Sequence, residues 1–217
     1  MFLKKIILDI ETTGLNINEG DRIIEICCIE FKNRSITKNI FHEYINPDNK
    51  IINKEAYKIH GLSNFFLKDK PFFVEISQNF LNFISNSVLI IHNSEFDLSF
   101  INFELKKIGL KDINFYCKNI IDTLKIARKL FPGKRNSLDF LAKRFKINYN
   151  RNFHSAIKDV KLLSKIYYYL TIRHKYLSLK KIKSEKYYEK NVSKNIILPI
   201  SKKDSLRHNL FLKKYIK

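Results

Sequence analysis

Apolar residues in the first 45 positions cluster in three segments typical of β-strands. They are residues 4–10, 22–31 and 36–45, and the polar stretch Lys32–Ser35 between the last two indicates a tight turn. Short connections between successive strands are typical of antiparallel pairs. The pattern therefore predicts an antiparallel meander of three strands at the start of the chain.

Helical patterns alternate with two further strands from residue 53 onward. The strands are the apolar run 88–91 and the short segment 119–122. Helical signals occupy six segments: 53–62, 70–85, 94–110, 122–131, 136–145 and 155–173. Gly61 and Gly109 mark two helix ends, and Ser94 and Ser155 are predicted caps at two helix starts. The order of elements predicts an α/β fold with a mixed five-stranded sheet flanked by helices.

Length and composition are those of a globular protein. The chain has 217 residues, of which 45% are hydrophobic, enough for one domain with a full core. No apolar run is long enough to span a bilayer, and the N-terminal segment is apolar too briefly for a signal peptide. We therefore expect a cytoplasmic protein with no membrane partner. Cys27, Cys28 and Cys117 have no metal or redox spacing and are expected to be small core or surface residues.

Positive charge is concentrated towards the end of the chain. The net charge is +20, and nucleic acid is the natural polyanionic partner of such a surface, although AT-rich codons that favour Lys are an alternative source of part of it. Residues 175–217 hold 13 Lys or Arg and 3 Asp or Glu, together with apolar islands at 195–200 and 206–216. We predict a domain over residues 1–174 and a basic, partly flexible tail over 175–217, whose islands are typical of segments that order on a partner.

The segment "LDIETTGL" (8–15) places two carboxylates at the tip of the first strand. Residues i and i+2 of a strand share a face, so Asp9 and Glu11 point the same way and Ile10 points opposite. Two carboxylates held together repel, and a divalent cation such as Mg²⁺ or Mn²⁺, which prefers oxygen ligands, removes that conflict. The pair is a candidate metal site, with a solvent-exposed acidic strand end as the alternative.

Two later segments place acids and a histidine at the ends of other elements. "HNSEFD" (92–97) follows a buried strand and puts Asp97 in the first turn of a helix, where the helix dipole alone would also favour an acid. "HSAIKD" (154–159) puts His154 just before the last helix and Asp159 in its early turns, and a surface histidine is the alternative for His154. Four carboxylates could hold two cations about 4 Å apart for in-line attack on a phosphodiester, and a histidine could take the proton of the attacking water.

These three segments, in this order and at these spacings, resemble the exonuclease motifs of the DEDD superfamily, His variant. Between them, "NKEAYKIHGL", "DKPFFVEI" and "FYCKNIIDTLKIARKLFPGKRNSLD" are similar to blocks of the proofreading (epsilon) subunits of bacterial DNA polymerase III, so the resemblance covers residues 5–170. It implies a ribonuclease H-like exonuclease fold. It also implies a 3′→5′ exonuclease that removes mispaired 3′-terminal nucleotides of DNA as dNMPs, with RNA trimming by the same superfamily as the alternative.

The resemblance further implies roles for individual residues. The metal carboxylates, holding two divalent cations, Mg²⁺ or Mn²⁺, are Asp9, Glu11, Asp97 and Asp159, and the catalytic general base is His154. The residues expected to contact the terminal nucleotide are Asp9, Glu11, Thr12, Thr13, Gly14, Leu15, Glu55, His60, Asn93, Phe96 and Asp159. A surface acid and a helix-end histidine remain alternatives for Glu55 and His60, and Leu15 and Phe96 could equally be core residues.

Partners are also implied by the resemblance. Family members join the polymerase catalytic (alpha) subunit through a C-terminal segment, which the pattern of residues 195–217 resembles, and a small third core subunit is a further candidate. The family's sliding-clamp peptide would fall at "HKYLSL" (174–179), where the Gln and the aromatic anchor are missing, which weakens the case for clamp binding. Two alternatives remain: a subunit that only stabilises the polymerase, and a tail that binds DNA non-specifically.

Overall fold

The first three strands pair as an antiparallel meander. In this computed structural model, which describes residues 3–149 and 153–172, they are β1 (Lys5–Thr12), β2 (Ile23–Lys32) and β3 (Ser35–Tyr44). β2 pairs in antiparallel register with β1 on one side and β3 on the other. Asn33 and Arg34 both take positive φ between β2 and β3, as a two-residue hairpin turn requires. The predicted meander is confirmed.

Two short parallel strands extend the sheet beyond β1. They are β4 (Val88–Ile91) and β5 (Asn119–Asp122), and the strand order is β3-β2-β1-β4-β5. β1, β4 and β5 run parallel, so their carboxyl ends lie at one edge of the sheet. The predicted α/β class with a mixed five-stranded sheet is confirmed, and the edge where the three parallel strands end carries the acidic segments.

Seven helices surround the sheet in the described part of the chain. They are α1 (Lys54–His60), α2 (Asn64–Leu67), α3 (Phe73–Ile84), α4 (Ser94–Lys107), α5 (Thr123–Leu130), α6 (Leu138–Arg144) and α7 (residues 156–172). Six correspond to predicted segments, and α2 was not predicted because four residues are too few to show a helical period. Gly61 ends α1 at φ 71°, the left-handed conformation that glycine adopts without strain.

Alternating side chains of β1 belong to two separate cores. Ile6, Leu8 and Ile10 pack against α3 and α4, whereas Ile7 packs on the other face against α6 and α7. The same alternation separates the neighbouring residues Cys27 and Cys28, and both are fully buried. Burial raises the pKa of the Cys27 thiol to about 12 and that of Cys28 well above its ordinary value, so both act as small core residues.

One predicted cap is wrong and the other is confirmed in position. The cap of α4 is Asn93, at φ 68°, and not Ser94, whose amide and hydroxyl donate to the Asp122 carboxylate at the end of β5. Ser155 directly precedes α7 as predicted, with its carbonyl accepting from the Asp159 amide at 2.9 Å, and its hydroxyl donates to the Glu25 carboxylate on β2. In both places a carboxylate from a distant strand binds the start of the helix, a contact that no local sequence pattern encodes.

No helix within residues 3–149 and 153–172 has the length and apolar character needed to cross a membrane. The described residues all fall in the first of two units of the chain, Met1–His174. The predicted tail, residues 175–217, and the "HKYLSL" segment lie outside the described residues, so the boundary at residue 174 and the docking role of the tail stay predictions.

Candidate active site

The tip of β1 presents its two carboxylates on the face covered by α7. Asp9 and Glu11 follow Ile7 on that face, whereas Ile10 is buried in the opposite core. Both acids are half-buried. The strand period thus holds two acidic side chains next to each other at the sheet edge where the parallel strands end.

The start of α7 brings a histidine and a third carboxylate to the same place. Nδ1 of His154 lies 3.5 Å from Oδ2 of Asp159, and the Asp159 side chain is 5% exposed. Ligand atoms of Glu11, His154 and Asp159 all lie within 4.8 Å of one another. The amide of His154 also donates to the carbonyl of Ile59 at 2.9 Å, which ties this segment to α1.

The first turn of α4 places Asp97 against the β1 backbone. The backbone of Ile10, the residue between Asp9 and Glu11, lies close enough to this carboxylate to favour its ionised form. Asp97 is only 3% exposed, and this burial raises the pKa of its carboxyl well above the ordinary value. β1, α4 and α7 therefore bring acidic side chains from three parts of the sequence to one strand tip.

This donor set fits a divalent cation. Carboxylate oxygens are the ligands that Mg²⁺ and Mn²⁺ prefer, and a cation would favour the ionised form of a carboxylate that burial drives towards protonation. Glu11 and Asp159 each supply an oxygen within a span that a single ion could bridge, and a ring nitrogen of His154 lies within the same 4.8 Å. The alternative of an isolated acidic strand end does not describe this arrangement, because the acids meet a histidine from another element.

A cavity of about 550 Å³ opens beside these acids. Of the residues expected to contact the terminal nucleotide, those that line it are Glu11, Thr12, Gly14, Leu15, Glu55, His60 and Phe96, and His154 lines it as well. The Leu15 side chain is 79% exposed, which excludes a core role. Phe96 is half-buried against Phe100, with ring centroids 4.9 Å apart, so it packs and lines the cavity at once.

The loop after β1 reaches the cavity with its backbone. Thr13 is fully buried, its hydroxyl donates to Asp21 at 2.9 Å, and its carbonyl accepts from the amide of Asn53 at 2.8 Å. A Cβ on Gly14 would lie 2.0 Å from Nδ2 of Asn53 and 2.3 Å from Oδ2 of Asp21, so only glycine fits there. Thr13 is not among the described residues that line the cavity, because its side chain points into the protein.

The ends of α1 carry the two remaining cavity residues. Glu55 is exposed in the first turn. His60 is buried at the last position, where Nδ1 accepts from the amide of Leu62 at 3.0 Å and burial lowers the pKa of the imidazole. Because Nδ1 is an acceptor, the neutral ring carries its proton on Nε2. His60 is therefore both the helix-end histidine considered above and part of the cavity wall.

Comparison with known proteins identifies the family. The RNase_T exonuclease family model matches residues 6–167. The chain is 46% identical to DNA polymerase III subunit epsilon of Buchnera aphidicola subsp. Baizongia pistaciae, covering 99% of this chain and 92% of that one. It is 52% identical to the same subunit of Rickettsia prowazekii, covering 78% and 74%. The chain belongs to the DNA polymerase III epsilon subunit family.

The epsilon family is one of exonucleases that use divalent metal ions, in agreement with the donor set at the β1 tip. Among solved structures, the nuclease domain of 3′hExo, a DEDDh family member bound to rAMP, superposes with a TM-score of 0.68 at 16% identity, covering 78% of this chain and 92% of that one. This likeness supports the predicted ribonuclease H-like exonuclease fold. The fold and the family predicted from the sequence motifs are thus confirmed.

One predicted residue lies apart from the others, and one buried acid was not predicted. Asn93 is exposed in the left-handed conformation, its amide donates to Asp122, and it is not among the described residues that line the cavity. Its contact with the substrate stays a prediction.

Sequence reasoning missed Asp21, which is buried and accepts hydrogen bonds from the Thr13 hydroxyl and the Asn16 amide. Nothing local distinguishes Asp21 from an ordinary acid before a strand, so only the tertiary contacts reveal it.

Proposed function

We propose that this protein is the proofreading 3′→5′ exonuclease of a DNA polymerase III core, and that it removes mispaired 3′-terminal nucleotides of DNA as dNMPs. The observation that carries the proposal is the meeting of Glu11, His154 and Asp159 within 4.8 Å beside a cavity open at the sheet edge. The relatives described above are DNA polymerase subunits, so DNA is favoured over RNA as the substrate.

The carboxylates would hold two divalent cations, Mg²⁺ or Mn²⁺. Asp9, Glu11, Asp97 and Asp159 are the candidate ligands, and Asp9, central in β1, is the candidate for contact with both ions. When bound, such a pair of cations lowers the pKa of a water molecule and stabilises the leaving oxygen of an in-line displacement. The protein's part is to keep these acids at fixed positions on three packed elements.

His154 is proposed as the general base. Its side chain is 41% exposed and its Nδ1 faces Asp159, so the ring is oriented by a carboxylate while its outer side meets solvent. A histidine placed in this way can take a proton from the attacking water and pass it to bulk solvent. General base catalysis of this kind contributes about 10²- to 10⁴-fold to the rate.

The cavity is proposed to receive a single unpaired 3′ terminus. Leu15 and Phe96 offer apolar contacts for the terminal base, and the backbone of Thr12 and Gly14 lies where a 3′-hydroxyl could bind. A mispaired end melts more readily than a paired one, so it would reach this single-strand site more often without any direct reading of the mismatch.

Basic residues near the site are proposed to hold the DNA backbone. Lys134 and Arg135 are exposed in the loop between α5 and α6, and the backbone of the following Asn136 lies beside the His92 ring at the end of β4. Arg135 also stacks over Phe140, 5.3 Å from the ring centroid, which fixes the direction of its side chain. Contacts of this kind are electrostatic, so substrate binding should weaken as salt rises.

The direct test uses a DNA hairpin with a mispaired 3′ end. Purified protein with Mg²⁺ should release the terminal dNMP faster than from a paired hairpin, and a chelator should stop the release. Asp9→Ala and His154→Ala should each lower the rate by about 10²-fold or more while the melting temperature stays near the wild-type value. The control Asp69→Ala, at an exposed loop acid, should not change the rate. Rates like wild type in Asp9→Ala, or faster digestion of an RNA oligomer, would contradict the proposal.

The polymerase catalytic subunit and a small third core subunit are the proposed protein partners. The support for the first is family membership together with the apolar islands at 195–200 and 206–216. A subunit that only stabilises the polymerase would not need the metal-binding acids and the base, and all five are present here.

A further inference from the structure

Glu25 is a fully buried carboxylate directly across from a candidate metal ligand. It lies on β2, where its Cα pairs with that of Glu11 in the antiparallel register, and its exposed fraction is 0%. Two residues further along β2, Cys27 packs in the core beneath α6 and α7, so Glu25 points to the face that α7 covers. Burying a carboxylate is costly unless donors satisfy its oxygens.

Three donors satisfy the Glu25 carboxylate. Oε1 accepts from Nε2 of His42 at 2.8 Å and from the Ser155 hydroxyl at 2.9 Å, and Oε2 accepts from the amide of Ala156 at 3.1 Å. Two of these donors belong to the start of α7, where the helix dipole also favours a negative charge. The carboxylate therefore binds β2, the edge strand β3 and the first residues of α7 to one another.

The point where α7 begins determines the positions of two active-site side chains. His154 directly precedes the two residues that Glu25 binds, and Asp159 follows one turn later, with its amide donating to the carbonyl of Ser155 at 2.9 Å. A shift of the helix start would therefore move His154 and Asp159 together relative to Glu11. A second backbone contact of this segment is the bond from the His154 amide to the Ile59 carbonyl.

We propose that Glu25 is a positioning residue of the exonuclease site: its buried carboxylate anchors the first turn of α7 and so holds His154 and Asp159 against Glu11. The proposal rests on the exonuclease function proposed above. Glu25 itself does not line the cavity and has no role in contacting the DNA. It acts on the metal ligands indirectly, through the start of α7, as hydrogen-bond partners of metal ligands do in other sites.

The isosteric variant Glu25→Gln tests this role. One oxygen becomes an NH₂ group and the negative charge is lost. If the NH₂ group faces the Ala156 amide, two donors meet. If it faces Ser155 and His42, both bonds must reverse direction, and the start of α7 keeps no charged partner. The kcat on a short single-stranded oligomer should fall about 10- to 100-fold, with KM within threefold of wild type, because the cavity wall is unchanged. Mn²⁺ binding without DNA, measured by electron paramagnetic resonance of the free ion, should weaken by a similar factor.

The matched control is Glu30→Gln, the same change on the same strand. Glu30 accepts from the Thr37 hydroxyl at 3.0 Å, and its neighbours Ile29 and Phe31 pack in the core that contains α7, so Glu30 does not share that face. The kcat and Mn²⁺ affinity of Glu30→Gln should therefore match wild type. If Glu25→Gln fails to fold, Ser155→Ala replaces it, since it removes one hydrogen bond of the anchor and should lower kcat about 3- to 10-fold at unchanged KM.

The outcomes separate this inference from the proposed function. Wild-type kcat and Mn²⁺ affinity in a folded Glu25→Gln protein, or a loss carried by KM alone, would overturn the positioning role, as would wild-type kcat in Ser155→Ala where that variant is needed. An inactive wild-type protein would instead overturn the exonuclease function, and the comparison of Mn²⁺ affinities would still decide whether Glu25 holds the metal ligands in place.

Discussion

Asp97 is a single residue whose burial works against the stability of the metal-free protein. The desolvated carboxyl has a pKa raised well above its ordinary value, whereas in the unfolded chain the pKa is about 3.9. A carboxyl with a raised folded-state pKa favours folding only below its unfolded-state pKa, and the folded state loses relative stability as pH rises above that value. At pH 7 the burial of the Asp97 carboxyl therefore opposes folding until a cation offsets it.

We expect Asp97→Asn to be more stable than wild type in a chelator at pH 7. Thermal unfolding should show a higher melting temperature for the variant, and the difference should shrink as pH falls towards 4, where the Asp97 carboxyl of the unfolded chain also binds its proton. Added Mg²⁺ should raise the melting temperature of wild type more than that of the variant, because only wild type keeps all four carboxylates. Glu95→Gln, an exposed acid of the same helix turn, is the control and should show neither effect.

A variant that is no more stable than wild type at pH 7, or a difference that grows as the solution is acidified, would contradict the assigned direction of the Asp97 pKa. Equal Mg²⁺ stabilisation of both proteins would instead place Asp97 outside the metal site.

Gly14 is required by the close approach of two side chains. Because a Cβ would lie 2.0 Å from Asn53 and 2.3 Å from Asp21, Gly14→Ala must displace the loop that we propose faces the terminal nucleotide. We expect a loss of about 1–3 kcal/mol in the free energy of unfolding and a raised KM for single-stranded DNA. Urea unfolding and steady-state kinetics measure these effects. Gly109→Ala is the control for KM, since Gly109 follows the end of α4 opposite to Asp97 and a Cβ there meets nothing within 4 Å. An unchanged KM in Gly14→Ala would show that the loop does not contact the substrate.

The elements themselves were largely predictable from local patterns. β1 and β2 are rich in apolar residues, β3 follows β2 across a short polar turn, and α3 and α4 carry helical patterns with clear ends, so their positions follow from the sequence to within a few residues. The partners of the helix starts could not be predicted, because they come from distant strands. The Asp122 carboxylate of β5 binds Ser94, which is not the cap of α4, and the Glu25 carboxylate of β2 binds the cap residue Ser155 of α7.

One buried ion pair connects the start of β2 to α4. Nε and Nη2 of Arg22 donate to the two oxygens of Glu104 at 2.6 and 2.8 Å, and the Glu104 side chain is 2% exposed. Arg22→Met would leave that carboxylate buried without its partner, so we expect a loss of about 3–5 kcal/mol in the free energy of unfolding. Urea denaturation measures the loss.

The double variant Arg22→Met with Glu104→Leu should recover most of that stability, since it removes both charges. If the double variant is as unstable as Arg22→Met alone, packing around Arg22 matters more than its charge. The control is Asp48→Asn. Asp48 is exposed and forms a second ion pair with Arg22, 3.4 Å from Nη1, so its replacement should change the free energy of unfolding by at most about 1 kcal/mol.

For the molecule as a whole, the sequence predicted the chemistry of the site better than the contacts that support it. Asp9, Glu11, Asp97, His154 and Asp159 could be selected because strand and helix ends restrict where such side chains point, and their spacing matches known motifs. Asp21 and Glu25 could not, since a buried acid is recognised only by the donors around it, and those donors come from distant segments. The nucleotide contacts were predicted from the family resemblance, and they stay predictions.

The basic tail, residues 175–217, holds half of the net charge of +20. If residues 180–217 dock on the polymerase catalytic subunit, their deletion should abolish co-elution with that subunit while kcat on a single-stranded oligomer stays at the wild-type value. If the tail binds DNA instead, deletion should lower the slope of log affinity against log salt by about 0.7 for each lost phosphate contact. We expect the first result and an unchanged slope.

A charge-neutral variant separates the two roles without shortening the chain. Replacing Ile197, Leu198, Leu210 and Phe211 by Ser removes apolar side chains from both islands and keeps every Lys and Arg. Docking through the islands predicts that this variant loses the polymerase subunit and keeps the salt dependence of wild type, because apolar burial drives the one contact and charge the other. Continued co-elution of both variants with the polymerase subunit would show that the exonuclease domain, and not the tail, makes the contact.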